Sequence, residues 1–174
     1  MLPLLAAAPL GATANEVTDL GTSQSNCWVE AGTYYSVDPW LLYSIAEKES
    51  SLNPSAINRT NKDGSYDIGL MQINSSFLPY LKEYGITEAM LYDPCTNIKV
   101  GAWVLRQGMS VFGNNWRAVG AYNAGTRKND KTENLREKYA TDVHSRYHDN
   151  LRRLQQLAAS DSSGRAGSET ATSD

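Results

Sequence analysis

No apolar run in this 174-residue chain approaches the roughly 20 residues needed to cross a bilayer, which excludes a transmembrane helix and stable membrane insertion for the body of the chain. Basic residues are scarce too. Sixteen Lys and Arg against 19 Asp and Glu leave a net charge of -3, so there is no broad basic surface of the kind that nucleic acid or anionic lipid requires. Cysteine is confined to Cys27 and Cys95, which lack metal-site spacing, and histidine to His144 and His148. The two histidines stand four apart with no carboxylate-rich block beside them, and they read as exposed helix residues. Neither a metal nor any other cofactor is implied. The chain shows no internal repeat.

What is present suits a single globular domain, since 41% hydrophobic residues over this length can bury one sizeable core. The N-terminus opens on a short apolar stretch followed by Ala12-Thr13-Ala14, a small-x-small cleavage pattern. Residues 1–14 are therefore expected to be an export signal, although no Lys or Arg precedes the apolar run; the other reading is an ordinary apolar helix start. Export would place the protein in the periplasm. There an even, widely separated pair of cysteines suggests a Cys27–Cys95 disulfide, the alternative being two buried free thiols. From Ala159 onward the chain carries no large apolar residue, so residues 159–174 are expected to be a disordered tail behind a domain at 15–158.

Helical periodicity dominates between these ends. Cys27, Trp28, Ala31, Tyr34 and Tyr35 lie on one stripe. Asp38-Pro39 supplies a cap and a first-turn proline, and Leu41, Leu42, Ile45 and Ala46 follow at helical spacing. Glu49 falls next on that core-facing stripe, before Asn53-Pro54 ends the helix. A turn at residues 58–65 could close a small hairpin at Asp63-Gly64. Helices are then predicted through Phe77 to Tyr84, from Asp93-Pro94 to Gly113, and over residues 114–121. A polar loop is expected at 126–134 and a last helix at 135–158, where Tyr139, Val143, Tyr147 and Leu151 share a face. The fold class is mostly α, with at most a small hairpin.

A carboxyl on the apolar stripe of a helix loses hydration of its charged form, so its pKa rises and it can act as an acid near neutrality. Glu49 is the best-placed Glu for such a role; the other reading is a helix-end Glu that curls to solvent. Glu49-Ser50 is followed by Gly69-Leu70-Met71-Gln72 and then by Ala121-Tyr122-Asn123-Ala124-Gly125. With the Tyr-rich block through Tyr139 and Tyr147, these resemble the signature of the transglycosylase SLT domain family, lysozyme-like lytic transglycosylases that cleave peptidoglycan. The resemblance spans roughly residues 27–151. Stretches such as Cys-Trp-Val-Glu-Ala-Gly and Leu-Tyr-Asp-Pro-Cys-Thr-Asn-Ile are most similar to the small members carried with type III and type IV secretion systems and conjugative plasmids.

The resemblance implies a lysozyme-like fold and a periplasmic, monomeric enzyme with a glycan strand as its substrate. Secretion or pilus assembly proteins are further implied partners. Glu49 takes the place of the catalytic acid and Ser50 of the residue that orients it by a hydroxyl contact. Gly69, Leu70, Met71 and Gln72 would line the cleft, with Met71 and Gln72 touching the sugar. Tyr122 and Asn123 would form a wall, and Tyr139 would hydrogen-bond the acid. Asp67, the carboxylate nearest this block, reads as a cap or turn residue; were it opposite Glu49, a water-using lysozyme becomes the alternative. A wall-binding scaffold without activity is the remaining alternative.

Overall fold

The computed structural model of the chain describes residues 25–168, with side-chain detail from residue 26 to 160. Six α-helices and one small sheet follow in the order α1 (Ser25–Tyr35), α2 (Pro39–Ser50), β1 (Ile57–Asn58), β2 (Asp67–Ile68), β3 (Ile73–Asn74), α3 (Leu78–Glu83), α4 (Pro94–Phe112), α5 (Trp116–Ala124) and α6 (Asp130–Ser168). The expected mostly α class is what the chain adopts.

The cap signals act as read. Asp38 accepts a hydrogen bond from the Trp40 amide at 2.7 Å ahead of α2, and Asp93 accepts from the Thr96 amide at 2.8 Å ahead of α4, each with Pro at the first helical position. Gly113 closes α4, its amide donating to the Met109 carbonyl at 2.8 Å. Around α4 pack α1 and α5, while α6 lies along α5 and α2. Trp28, Leu41, Leu42, Ile45, Ile98 and Leu105 fill the space between them and are almost fully buried. Burying each such side chain stabilises the fold by roughly 1.5–3 kcal/mol.

The sheet departs from the sequence reading. Instead of at most one hairpin it has three antiparallel strands in the order β1-β2-β3, paired Ile57 with Ile68 and Asp67 with Asn74. Strands of two residues have no room to display a two-residue period, so alternation could not reveal them. Residues 69–72 are consequently the tight turn between β2 and β3, with the Gln72 amide donating to the Gly69 carbonyl at 3.1 Å. Gly69 has φ 74°, and a Cβ there would stand 2.4 Å from both the Asn97 side chain and the Leu91 carbonyl. Glycine is the residue that both constraints admit.

The last helix is also longer than its apolar stripe. It starts at Asp130 because Asn129 caps it, accepting from the Thr132 amide at 2.9 Å, so the polar stretch expected as a loop contributes the first turn. It continues to Ser168, where composition predicts disorder from Ala159, since extending an existing helix adds a backbone bond per residue without a new nucleus. The expected signal at 1–14 and the last tail residues, 169–174, lie outside the described residues.

Cys27 and Cys95 form the disulfide, tying α1 to the start of α4 with Cα atoms 5.1 Å apart. A loop closed over 68 residues restricts the unfolded chain by about 4 kcal/mol in the chain-entropy account. Reduction is expected to lower the melting temperature by roughly 10 °C in calorimetry, and a melting curve indifferent to reductant would contradict this.

Candidate active site

The period of α2 carries Glu49 to the helix's final turn, four residues beyond the buried Ile45. The chain then turns away: Ser51 adopts φ 54° and Leu52 φ 64°, and their amides return to the Glu47 and Ala46 carbonyls at 3.1 and 3.4 Å. This leaves the Glu49 carboxyl at the wall of a cleft of ≈1240 Å³. The cleft is bounded by α2, the sheet, α4, α5 and the loop after α5.

From α6, the Tyr139 hydroxyl donates to Glu49 Oε1. Burial pushes the Glu49 carboxyl up from 4.5 to about 7; the Tyr139 hydrogen bond opposes the rise, the Asp67 charge adds to it, and Lys48 opposes it. Burial, followed by the Glu49 charge, holds the Tyr139 phenol well above its ordinary value, so it remains a donor. Tyr122 on α5 lies nearly parallel to Tyr139, rings 6.5 Å apart, and donates to the Met71 carbonyl at 2.8 Å. Helix α5 thereby bonds to the 69–72 turn on one side and stacks against the Glu49 donor on the other.

The signature residues divide into those that face the cleft and those beneath it. Glu49, Gln72, Tyr122 and Asn123 line the cleft, and Asn123 is exposed there. Met71, expected to touch the sugar, does not line the cleft: its side chain is fully buried and packed on Gly101 of α4, where a Cβ would stand 2.7 Å from the Met71 methyl. Within the turn Met71 takes the core side while Gln72 faces the cleft. Leu70 is likewise buried.

Ser50 does not orient the acid through a direct hydroxyl contact either. Its hydroxyl donates to the Leu70 carbonyl at 2.6 Å and accepts from the Asn53 amide at 3.1 Å, fastening the end of α2 to the same turn. Gln72, at φ 49°, folds its side-chain amide back to the Gly69 carbonyl at 2.9 Å.

Several anchoring residues are not evident from the sequence. Asn97 of α4 is fully buried, accepts from the Met71 amide at 2.6 Å, and donates to the Leu91 and Ile68 carbonyls at 2.6 and 3.0 Å. Asp67 lies in β2, so it caps no helix. One carboxylate oxygen accepts from Asn74 at 2.8 Å, the other from Asn61 at 3.0 Å and Asn58 at 3.2 Å, and the residue lines the cleft. Arg136, fully buried on α6, donates to the Gly125 carbonyl at 2.6 Å and fixes the exit of α5. Each is a polar side chain with partners outside its own helix or strand, a pairing that no local period encodes.

Among the described residues no group of three or more His, Cys, Asp or Glu is arranged to hold a metal ion, and no helix is long and apolar enough to cross a membrane. His144 packs edge-on against Trp116 with ring centres 4.7 Å apart, and burial lowers its pKa.

A buried carboxyl poised near neutrality at the wall of an open cleft in a helical scaffold suits an acid catalyst of the lysozyme-like class. The chain belongs to the transglycosylase SLT domain family, whose profile matches residues 26–145, and it is a peptidoglycan lytic transglycosylase. It is similar to the invasion protein IagB of Salmonella typhi, 41% identical over 147 residues that cover 84% of this chain and 88% of that protein. Protein IpgF of Shigella flexneri is 46% identical over 125 residues, covering 71% and 80%. The fold matches a structure of an inactive mutant of the lytic transglycosylase Slt from Pseudomonas aeruginosa with a TM-score of 0.57 at 23% identity, over 76% of this chain and 25% of that one.

Because the folded state raises the Glu49 pKa from 4.5 to about 7, the fold holds a proton that the unfolded chain releases, and stability is lost as pH rises across that window. Glu49→Gln has no charge to bury and its amide oxygen still accepts from Tyr139. The variant is expected to exceed the parent in stability by about 3 kcal/mol at pH 8 and by almost nothing at pH 4. Equal denaturant midpoints at both pH values would contradict the buried-acid account.

Proposed function

We propose that Glu49 cleaves the β-1,4 bond between N-acetylmuramic acid and N-acetylglucosamine without consuming water, leaving a 1,6-anhydro-N-acetylmuramoyl end. The observation that carries this reading is the Glu49 carboxyl itself, at about 7 and held by Tyr139 at the wall of the cleft. At that pKa the acid form is populated near neutrality, and so is the base form needed afterwards.

In the forward step Glu49 gives its proton to the glycosidic oxygen as the bond to the muramoyl anomeric carbon breaks. The muramoyl 2-acetamido oxygen supports the positive charge that develops there. Carboxylate Glu49 then accepts the proton of the muramoyl 6-hydroxyl, whose oxygen bonds to the anomeric carbon and closes the anhydro ring. The proton count on Glu49 returns to its starting value. The nucleophile is already part of the substrate, so its effective concentration is high and a second protein carboxylate is unnecessary. Tyr122, Gln72 and Asn123 are proposed to position the strand, and Ser50, Gly69, Leu70 and Met71 to support the turn that carries Gln72.

A second reading rests on Asp67, which lines the same cleft and whose charge acts on Glu49. A water held between two such carboxylates would make the enzyme a hydrolase. The three Asn donors that occupy Asp67 favour a fixed charge over a mobile nucleophile or base.

We place the protein in the periplasm as a monomer acting on glycan strands, a compartment compatible with its disulfide. There it would open the wall locally for a secretion or conjugation apparatus. The name of the Salmonella relative, an invasion protein, supports that setting.

Purified peptidoglycan tests the reading. Glu49→Gln should reduce turnover by about 10²- to 10⁴-fold, and mass spectrometry of the parent's products should give anhydromuramoyl ends. Reducing muramic ends would select the Asp67 hydrolase, and an active Glu49→Gln protein would remove Glu49 from the mechanism.

A further inference from the structure

Cationic side chains collect at the mouth of the cleft although the chain as a whole is acidic, at a net charge of -3. Lys62 comes from the turn that joins β1 to β2. Arg127 and Lys131 come from the other side, on the loop after α5 and the first turn of α6, and all three line the cleft. None of the three takes part in an ion pair among the described residues; the same holds for surface cations such as Lys82 and Arg106, and what sets these three apart is that they line one cleft. The carboxylate beside Lys62, that of Asp63, is turned into its own loop, accepting from the Ser65 amide at 3.0 Å and hydroxyl at 2.7 Å. Asp67, deeper in the cleft, is occupied by its three Asn donors.

Hydroxyls and acetamides of a sugar chain need amide and carbonyl partners, and Asn61, Asn74, Gln72 and Asn123 supply those within the cleft. Uncommitted cations have no counterpart on a neutral glycan. A muramic-acid strand does carry counterparts: the carboxylates of its peptide stems, or the lactyl carboxylate where the stem has been removed. Both are attached at the sugar's edge and project outward, toward the mouth of a cleft that holds the sugar backbone. We propose that Lys62, Arg127 and Lys131 form a two-sided carboxylate-binding rim that selects muramic-acid strands over neutral polysaccharides. This rests on the peptidoglycan reading above and adds the part of the substrate that is recognised.

Binding separates the two ideas when measured in the Glu49→Gln background, where no ligand is consumed. The full chain, with and without Lys62→Gln, Arg127→Gln and Lys131→Gln together, is titrated with three ligands: uncrosslinked strands bearing stems, the same strands stripped to lactyl carboxylates by an amidase, and a neutral N-acetylglucosamine hexamer. The triple variant should bind stem-bearing strands roughly three- to thirtyfold more weakly, the sum of a few exposed ion pairs. The difference should shrink as added salt screens the charges. Binding of the neutral hexamer should not change.

If the stripped strands lose affinity as well, the rim accepts either the stem or the lactyl carboxylate; if only stem-bearing strands lose it, the stem carboxylates alone are the anchor. An equal loss for the neutral hexamer, or no loss for any ligand, overturns the rim while leaving the Glu49 reading intact. Failure of the Glu49→Gln parent to bind any of the three overturns the site itself. All three positions are on the surface; should the triple variant melt early, the single substitutions Lys62→Gln and Lys131→Gln carry the same comparison across opposite sides.

Discussion

The site depends on one contact between helices, the Tyr139 phenol of α6 donating to the Glu49 carboxyl of α2. Burial alone would drive the carboxyl upward without limit set by function, and the phenol draws it back by stabilising the charged form. The opposition leaves the group near 7, where it can both release and recover a proton. A carboxyl in water would rarely hold the proton at neutral pH, and one sealed in the core would rarely give it up.

Holding that contact requires the helices to meet in one register, and the polar seam between α2 and α6 supplies it. Tyr147 donates to Asp38 at 2.7 Å, Asn150 donates to Glu47 at 2.7 Å and to the Ser44 hydroxyl at 3.1 Å, and Lys48 pairs with Asp142. Asp38 thus has two tasks, capping α2 with one oxygen and receiving Tyr147 with the other. The opposite side of the cleft is fixed by Asn97, which reaches from α4 to three backbone groups around the β2–β3 turn. Losing one partner of such a buried network leaves others unsatisfied, at a cost of about 1–3 kcal/mol for each group.

How far the sequence reveals this can be judged residue by residue. The Asp38-Pro39 and Asp93-Pro94 caps announce α2 and α4, and the period of α2 delivers Glu49 to the correct face, because both are local properties of a helix. The roles of Met71 and Ser50 are not legible in the same way. Membership of a signature block does not say which side of a tight turn a side chain takes, and here Met71 faces the core and Ser50 faces a backbone carbonyl. The three Asn donors to Asp67 and the buried Arg136 are hidden for a related reason: Asn and Arg are read from sequence as surface residues until partners on neighbouring elements claim them. The strands escape notice because two residues are too few to show alternation, and the β2–β3 pair is set by the turn that Asn97 and Gly69 impose.

The central claim is that the fold, and not the bound glycan, tunes the acid. Nuclear magnetic resonance of the Glu49 side-chain carboxyl carbon in the free protein, followed from pH 3 to pH 10, tests it directly. The account predicts a titration midpoint near 7, whereas a midpoint at the ordinary 4.5 would contradict it.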